Sequence, residues 1–150
     1  MLIRKAISAV RNRFGGGQKY STLQATVETP TGWENTEAFF AELNSITHRA
    51  GAITHAFSDP QDGLIGYVQL HRACRSITIH RIWTIIPKRG YGSKMLRQMC
   101  QLADRHRVLI KLKIAPLGRK PYPMSADQLR EWYHRHGFRG EQKLVRVPSV

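Results

Sequence analysis

The sequence predicts an α+β domain built on a central mixed, mostly antiparallel sheet. Three observations predict it. An apolar run, Ile82-Trp83-Thr84-Ile85-Ile86, halts at Pro87 and gives way to Lys88-Arg89-Gly90-Tyr91-Gly92-Ser93-Lys94; Met95, Leu96, Met99, Leu102 and Ala103 then recur at helical spacing. Val108 to Ala115 alternates Ile110, Leu112 and Ile114 with Lys111 and Lys113, so strand, helix and strand form a crossover whose two strands run parallel. Upstream, two strand-like stretches flank Asp59-Pro60-Gln61-Asp62-Gly63, a hairpin turn sequence, so an antiparallel sheet passes into an α/β half.

Taken in order, Met1 to Phe14 sets Ile3, Ile7, Val10 and Phe14 along one helical face, interrupted by Arg4, Lys5, Arg11 and Arg13. The spacing predicts an amphipathic helix, either a docking or membrane-surface element or an extra helix packed on the domain. Gly15-Gly16-Gly17 reads as a joint, dividing an appendage at 1–17 from a main domain at 18–150. Leu23 to Glu28 is a first strand, closed by Pro30, Thr31 and Gly32. Asn35 or Thr36 caps a helix whose face is Phe39, Leu43, Ile46 and Ala50, ended by Gly51. Strands follow over Ala52 to Ser58, Leu64 to Leu70 and, after a turn at Arg72 to Arg75, Ser76 to Ile86. Pro116 to Met124 holds three of the seven prolines and is a loop. Ser125 with Gln128 opens a capping box for a helix over Ala126 to His136, Gly137 closes it, and Lys143 to Val147 is a last strand.

At 150 residues the chain fits one main domain. Its 24 Lys and Arg against 10 Asp and Glu give a formal charge of +14, which favours anionic partners: nucleic acid, phosphorylated cofactors or acidic surfaces. Cys74 and Cys100 are too few for a disulfide framework and lack metal-ligand spacing, and a cytoplasmic location is expected. No apolar stretch approaches the roughly 20 residues that span a bilayer.

The glycine loop at the mouth of a helix is an anion site by construction. The first N–H groups of the helix are unpaired, Gly90 and Gly92 let a ligand approach the main chain, and Lys88, Arg89 and Lys94 add charge. Joined to Trp132-Tyr133-His134-Arg135-His136-Gly137-Phe138, this loop resembles the GNAT superfamily of acyl-CoA N-acyltransferases from about Gln18 onward. Leu102-Ala103-Asp104-Arg105-His106 and the proline-rich insertion further resemble small acetyltransferases carried by bacteriophages and prophages, which would place the protein in a host cytoplasm.

The resemblance implies a sheet with helices on both faces and a splayed parallel strand pair that receives the pantetheine arm of acetyl-CoA. The loop amides would hold the pyrophosphate, so Ile85, Ile86, Lys88, Arg89, Gly90, Tyr91, Gly92, Ser93 and Lys94 are the expected cofactor-binding residues. Arg89 and Gly92 fit the family's Arg/Gln-x-x-Gly-x-Gly/Ala loop. Lys94 stands where a small residue is usual, and would either crowd the pyrophosphate or contact it. Tyr133 matches the Tyr-x-x-x-Gly-Phe tyrosine and is the expected proton donor to the departing thiolate. His80 is the candidate base for the amine, with His71 and Glu28 as rivals and bulk water as a substitute. A backbone N–H near Ile85 is the expected oxyanion donor, the Ile85 side chain is expected in the core, and Trp83 and Trp132 are candidates to frame a cleft. His106, His134 and His136 are too scattered for a metal and are assigned to a basic surface.

The expected function is transfer of an acetyl group from acetyl-CoA to a primary amine. The charge excess points toward an anionic or nucleic-acid-associated acceptor. The alternative is a non-catalytic nucleic-acid- or protein-binding module on the same scaffold. A homodimer is left open.

Overall fold

The computed structural model describes residues 5–7, 25–27, 32–87, 89–115 and 124–149. Its main sheet has six strands in the order β3-β4-β5-β6-β7-β8. These are β3 (His48–Arg49), β4 (Thr54–Asp59), β5 (Gly63–Ala73), β6 (Ser76–Thr84), β7 (Leu109–Lys113) and β8 (Lys143–Arg146). Neighbours run antiparallel except β6 and β7, which pair in parallel as the crossover through α2 (Tyr91–His106) predicts. The mixed, mostly antiparallel sheet expected from the sequence is therefore present.

The parallel pair is short. It runs from Ser76 opposite Leu109 to Ile79 opposite Leu112 and stops, although β6 continues to Thr84. Over that continuation β6 keeps β5 on its other edge, as far as Gly66 opposite Thr84. The two parallel strands thus part toward the end that meets the glycine loop, and a cleft opens between them.

Helices α1 (Trp33–Ile46) and α2 pack on one face of the sheet. Phe39, Phe40 and Leu43 of α1 and Met95, Leu96 and Met99 of α2 are buried there, against Val68, Leu70, Ile77 and Ile79. Each such side chain contributes about 2 kcal/mol by leaving water. Gly66 sets how closely α2 approaches, because a Cβ there would lie 2.5 Å from the Trp83 carbonyl oxygen and 2.7 Å from the Met95 sulfur. At the far end of α2, Arg146 of β8 pairs with Asp104 at 2.7 and 3.0 Å and donates from Nε to the His136 carbonyl at 2.9 Å. That contact joins β8, α2 and the end of α3 (Ala126–Arg135).

Several boundaries differ from the sequence reading. Lys5–Ile7 is a strand, β1, paired antiparallel with β2 (Ala25–Val27), and not part of a helix. Three residues hydrogen-bonded across to a partner outweigh a helical stripe broken by four cations. The rest of the expected N-terminal helix, the glycine joint, and 116–123 of the proline-rich loop lie outside the described residues. Helix α1 starts two residues before Asn35, behind Gly32 at φ +95°, a left-handed angle that glycine adopts freely. Thr36 is not the cap but a first-turn residue whose hydroxyl donates to the Gly32 and Ala73 carbonyls. The helix ends at Ile46, not Gly51, since Thr47 is extended and His48–Arg49 join the sheet opposite Ala56 and His55.

Candidate active site

Beyond Thr84 the Ile85 N–H donates to the Ile65 carbonyl at 2.9 Å, and the chain turns through the loop to Gly90. Gly90, at φ +73°, is the N-cap of α2, and the first helical bond runs from the Lys94 N–H to the Gly90 carbonyl at 3.1 Å. The amides of Tyr91, Gly92 and Ser93 precede that bond and have no acceptor inside the helix. No side chain caps this end, and no acid occupies its first turn. The result is an N-terminus with its partial positive charge uncompensated. At Gly92 a Cβ would find Trp132 at 3.6 Å and Thr84 at 3.7 Å, ordinary contacts. The protein's own packing does not demand glycine there.

The described charged side chains of the loop turn to carboxylates of the β4–β5 turn. Lys94 donates to Asp59 at 2.8 Å, Arg89 to Asp62 at 3.3 Å, and the Tyr91 hydroxyl to the same Asp62 carboxylate. Asp59 also accepts from the Gln61 and Asp62 amides, which fixes the β4–β5 turn. The Lys94 ammonium and those amides pull the Asp59 carboxyl down to about 2, while the bond to Asp62 pushes the Tyr91 phenol up to about 12. Lys94 thus ties α2 to the β4–β5 turn. Lys88 lies outside the described residues. The sequence reading took Asp59 and Asp62 as turn formers only. The available signal was that two of just 10 acids fall in one turn.

Helix α3 begins with the expected capping box between Ser125 and Gln128. It brings Trp132 over the loop, where the indole N–H donates to the Ser93 hydroxyl oxygen at 2.9 Å. Tyr133 is 6% exposed and packs on Trp132 and Phe138, with ring centroids 4.8 and 5.3 Å away. Burial raises its pKa, so it remains a phenol across the physiological range.

A cleft of about 740 Å³ joins these parts, lined by Gly90, Tyr91, Gly92, Ser93, Trp132 and Tyr133 around the helix ends. Between the parted strands it meets Ile79, Ile82 and Leu112, then His80, Arg81, Trp83 and Lys113. His80 owes its place to a bulge: Leu70 pairs with Ile79 and Gln69 with Arg81, leaving His80 as the extra residue. It is exposed, edge-on to His71 at 5.3 Å. Glu28 lies outside the described residues.

One expectation at Ile85 is corrected: its side chain is 46% exposed and not in the core, since it lies past the end of β6. Its own N–H donates to the Ile65 carbonyl, so a main-chain donor near it has to come from a neighbouring residue. Alternation along the β5–β6 ladder turns the main-chain groups of Ile82 and Thr84 away from β5, toward the side where the parallel pairing has ended. Ile86 is partly buried against the core. The scattered histidines are locally engaged: His106 with Glu42, His134 with the Gly140 carbonyl, and His136 with the Trp132 carbonyl. Among the described residues no group of His, Cys, Asp or Glu could hold a metal, and no helix is long and apolar enough to cross a membrane.

No protein-family model and no curated protein matches the sequence. Solved structures do resemble the fold. The anti-CRISPR protein AcrVA5 is 16% identical over 61% of this chain and 96% of its own, with a TM-score of 0.49. Tetrahymena GCN5 is 9% identical over 79% of this chain and 88% of its own, with a TM-score of 0.47. An acetyltransferase from Bacillus cereus is 16% identical over 81% of this chain and 96% of its own, with a TM-score of 0.46.

Proposed function

We propose that the protein is an N-acetyltransferase that moves an acetyl group from acetyl-CoA to a primary amine. One observation carries the reading: the parallel strands part at the same end of the sheet where an uncapped, acid-free helix N-terminus offers three amides. A thin acyl-bearing arm fits between strands, and a pyrophosphate fits the amides. The residues present suit that cofactor. Gly92 leaves the main chain open to close approach, and the acids of the neighbouring turn are already paired, Asp59 with Lys94 and Asp62 with Arg89, with the Tyr91 hydroxyl also donating to Asp62.

When bound, acetyl-CoA supplies the activated thioester. The amides of Tyr91, Gly92 and Ser93 would hold its phosphates, and Ile82 and Ile86 would border the arm. The main-chain groups of Ile82 and Thr84 would line the path of the acyl end, in the donor role expected near Ile85. The Tyr133 O–H would donate a hydrogen bond to the sulfur of the bound thioester. A buried phenol is a weaker acid than a free one, so it serves by a maintained hydrogen bond more than by outright proton loss. His80 receives the amine's proton at the other mouth of the cleft, where the acceptor enters. The setting we assign is the cytoplasm, a host's if a phage encodes the chain.

Titration calorimetry with coenzyme A tests the reading directly. Binding that is lost when Gly92 is replaced by valine, with the melting temperature kept, supports it. A silent titration of the intact chain overturns it. Should coenzyme A bind while no amine is acetylated, the non-catalytic binding module takes its place.

A further inference from the structure

Among the described residues, the sheet face that holds His80 is basic and aromatic, and its strand positions bear no acid. Register places Tyr67 beside Trp83, Gln69 beside Arg81, Thr78 beside Lys111, and Lys111 beside Val145. Alternation adds His71, Lys113 and Lys143 to the same face. His71, His80, Arg81 and the three lysines are exposed. None of Arg81, Lys111, Lys113 or Lys143 makes an ion pair among the described residues, whereas Arg89, Lys94, Arg105, Arg130 and Arg146 each hold a carboxylate. Lys113 and Lys143 even stand directly opposite one another, a pairing that destabilises a sheet unless an anion lies between or over them.

Tyr67 and Trp83 stack in the middle of this face, centroids 5.2 Å apart and 30° from coplanar, with the Arg81 guanidinium 5.1 Å from the Trp83 ring. The major groove of duplex DNA accepts a helix or a two-stranded ribbon, for which a six-stranded sheet is too wide. Aromatic rings set among unpaired cations on a sheet suit unpaired bases joined by phosphates.

We infer that this face docks single-stranded nucleic acid, phosphates on Lys111, Lys113, Lys143 and Arg81, and a base against the Tyr67–Trp83 pair. The same face opens into the cleft at His80, Arg81 and Trp83, so a docked strand presents its amines, or an amine it carries, to the transfer site. That last consequence rests on the acetyltransferase reading; the docking does not.

The test is fluorescence anisotropy of a labelled oligonucleotide of about 12 bases, a length within the range such platforms cover, across about 50 to 200 mM salt. Lys111 and Lys143 lie outside the cleft lining, so Lys111→Glu with Lys143→Glu should weaken binding about tenfold. It should also flatten the log–log salt slope by about 1.4, at about 0.7 per lost contact on a single strand. Tyr67→Ala should weaken binding about tenfold at every salt concentration, with the slope unchanged. Wild-type binding by both variants overturns the inference. So does equal competition by polyglutamate, which would reduce the effect to charge alone, or a dimer in sedimentation that the oligonucleotide does not dissociate. Coenzyme A calorimetry on the same proteins separates the two claims. Oligonucleotide binding with silent coenzyme A sinks the transferase and leaves the face standing, and the reverse result sinks the face alone.

Discussion

Tyr133 and Gly92 are the two residues whose identities the packing leaves least explained. Tyr133 fills its place with a ring that phenylalanine would fill equally, between Trp132 and Phe138, so the hydroxyl adds nothing the core requires. Tyr133→Phe should therefore keep the melting temperature within a degree or two while lowering kcat about 100-fold, with the KM for acetyl-CoA unchanged. An unaltered kcat would remove Tyr133 from the chemistry. At Gly92 a methyl group meets only ordinary contacts, so Gly92→Ala should fold normally. Its coenzyme A affinity should still fall about tenfold, some 1.4 kcal/mol, because the new Cβ occupies space reserved for the phosphates. Calorimetry beside a thermal melt reads both halves of that statement.

Between elements, the approach of α2 to the sheet decides where the amides sit. Gly66→Ala forces a carbon to within 2.5 Å of the Trp83 carbonyl oxygen on β6, a backbone atom, and to within 2.7 Å of the Met95 sulfur on α2. The expected loss is about 2 kcal/mol in urea unfolding, together with weaker coenzyme A binding as the start of α2 is displaced. Retained affinity at lowered stability would show that the helix end is positioned by something else. The Asp59–Lys94 and Asp62–Tyr91 contacts are the other restraint on it, and they show what a sequence does and does not disclose. The strand, glycine loop and helix were legible because apolar spacing and glycine are local signals, and α2, β7 and α3 stand where that spacing put them. The partners of Lys94 and Tyr91 lie 35 and 29 residues away, so no local pattern announces them. The bulge at His80 is likewise a property of register, which two strands settle jointly. Lys5–Ile7 is the opposite case: its helical stripe was a real pattern, overruled by pairing with Ala25–Val27. Lys94 stands out locally only as a departure from the loop pattern, and its bond to Asp59 shows only once the turn is in place.

For the whole molecule, acid is the condition under which the distributed electrostatics become visible. His55 on β4 is 1% exposed, tilted against the Phe40 ring at 5.8 Å, and its Nδ1 is the one buried side-chain nitrogen or oxygen without a partner among the described residues. Burial first, then the charges of Arg49 and Arg72, push its pKa down from 6.5 to about 4. Between those values the unfolded chain takes up a proton that the folded chain refuses. Stability is therefore whole above pH 6.5 and drains as pH falls toward 4, by about 3 kcal/mol in all. The carboxylates act lower. Asp59 titrates near 2 in the fold against an ordinary 3.8, and Asp104, held by Arg146, is also depressed, so their contribution is intact above 3.8 and lost as pH falls further. Stability plotted against pH should thus fall in two separate windows. His55→Leu should erase the upper one and leave the lower, and should match or exceed the wild type at neutral pH, since an unpartnered buried nitrogen has been removed. Asp104→Asn acts the other way: it strands a largely buried guanidinium, should cost about 2 to 3 kcal/mol at neutral pH, and should leave the slope between 6.5 and 4 in place. Urea unfolding of the three proteins at a series of pH values resolves the windows. A single smooth decline shared by the wild type and His55→Leu would mean that His55 is protonated in the folded core.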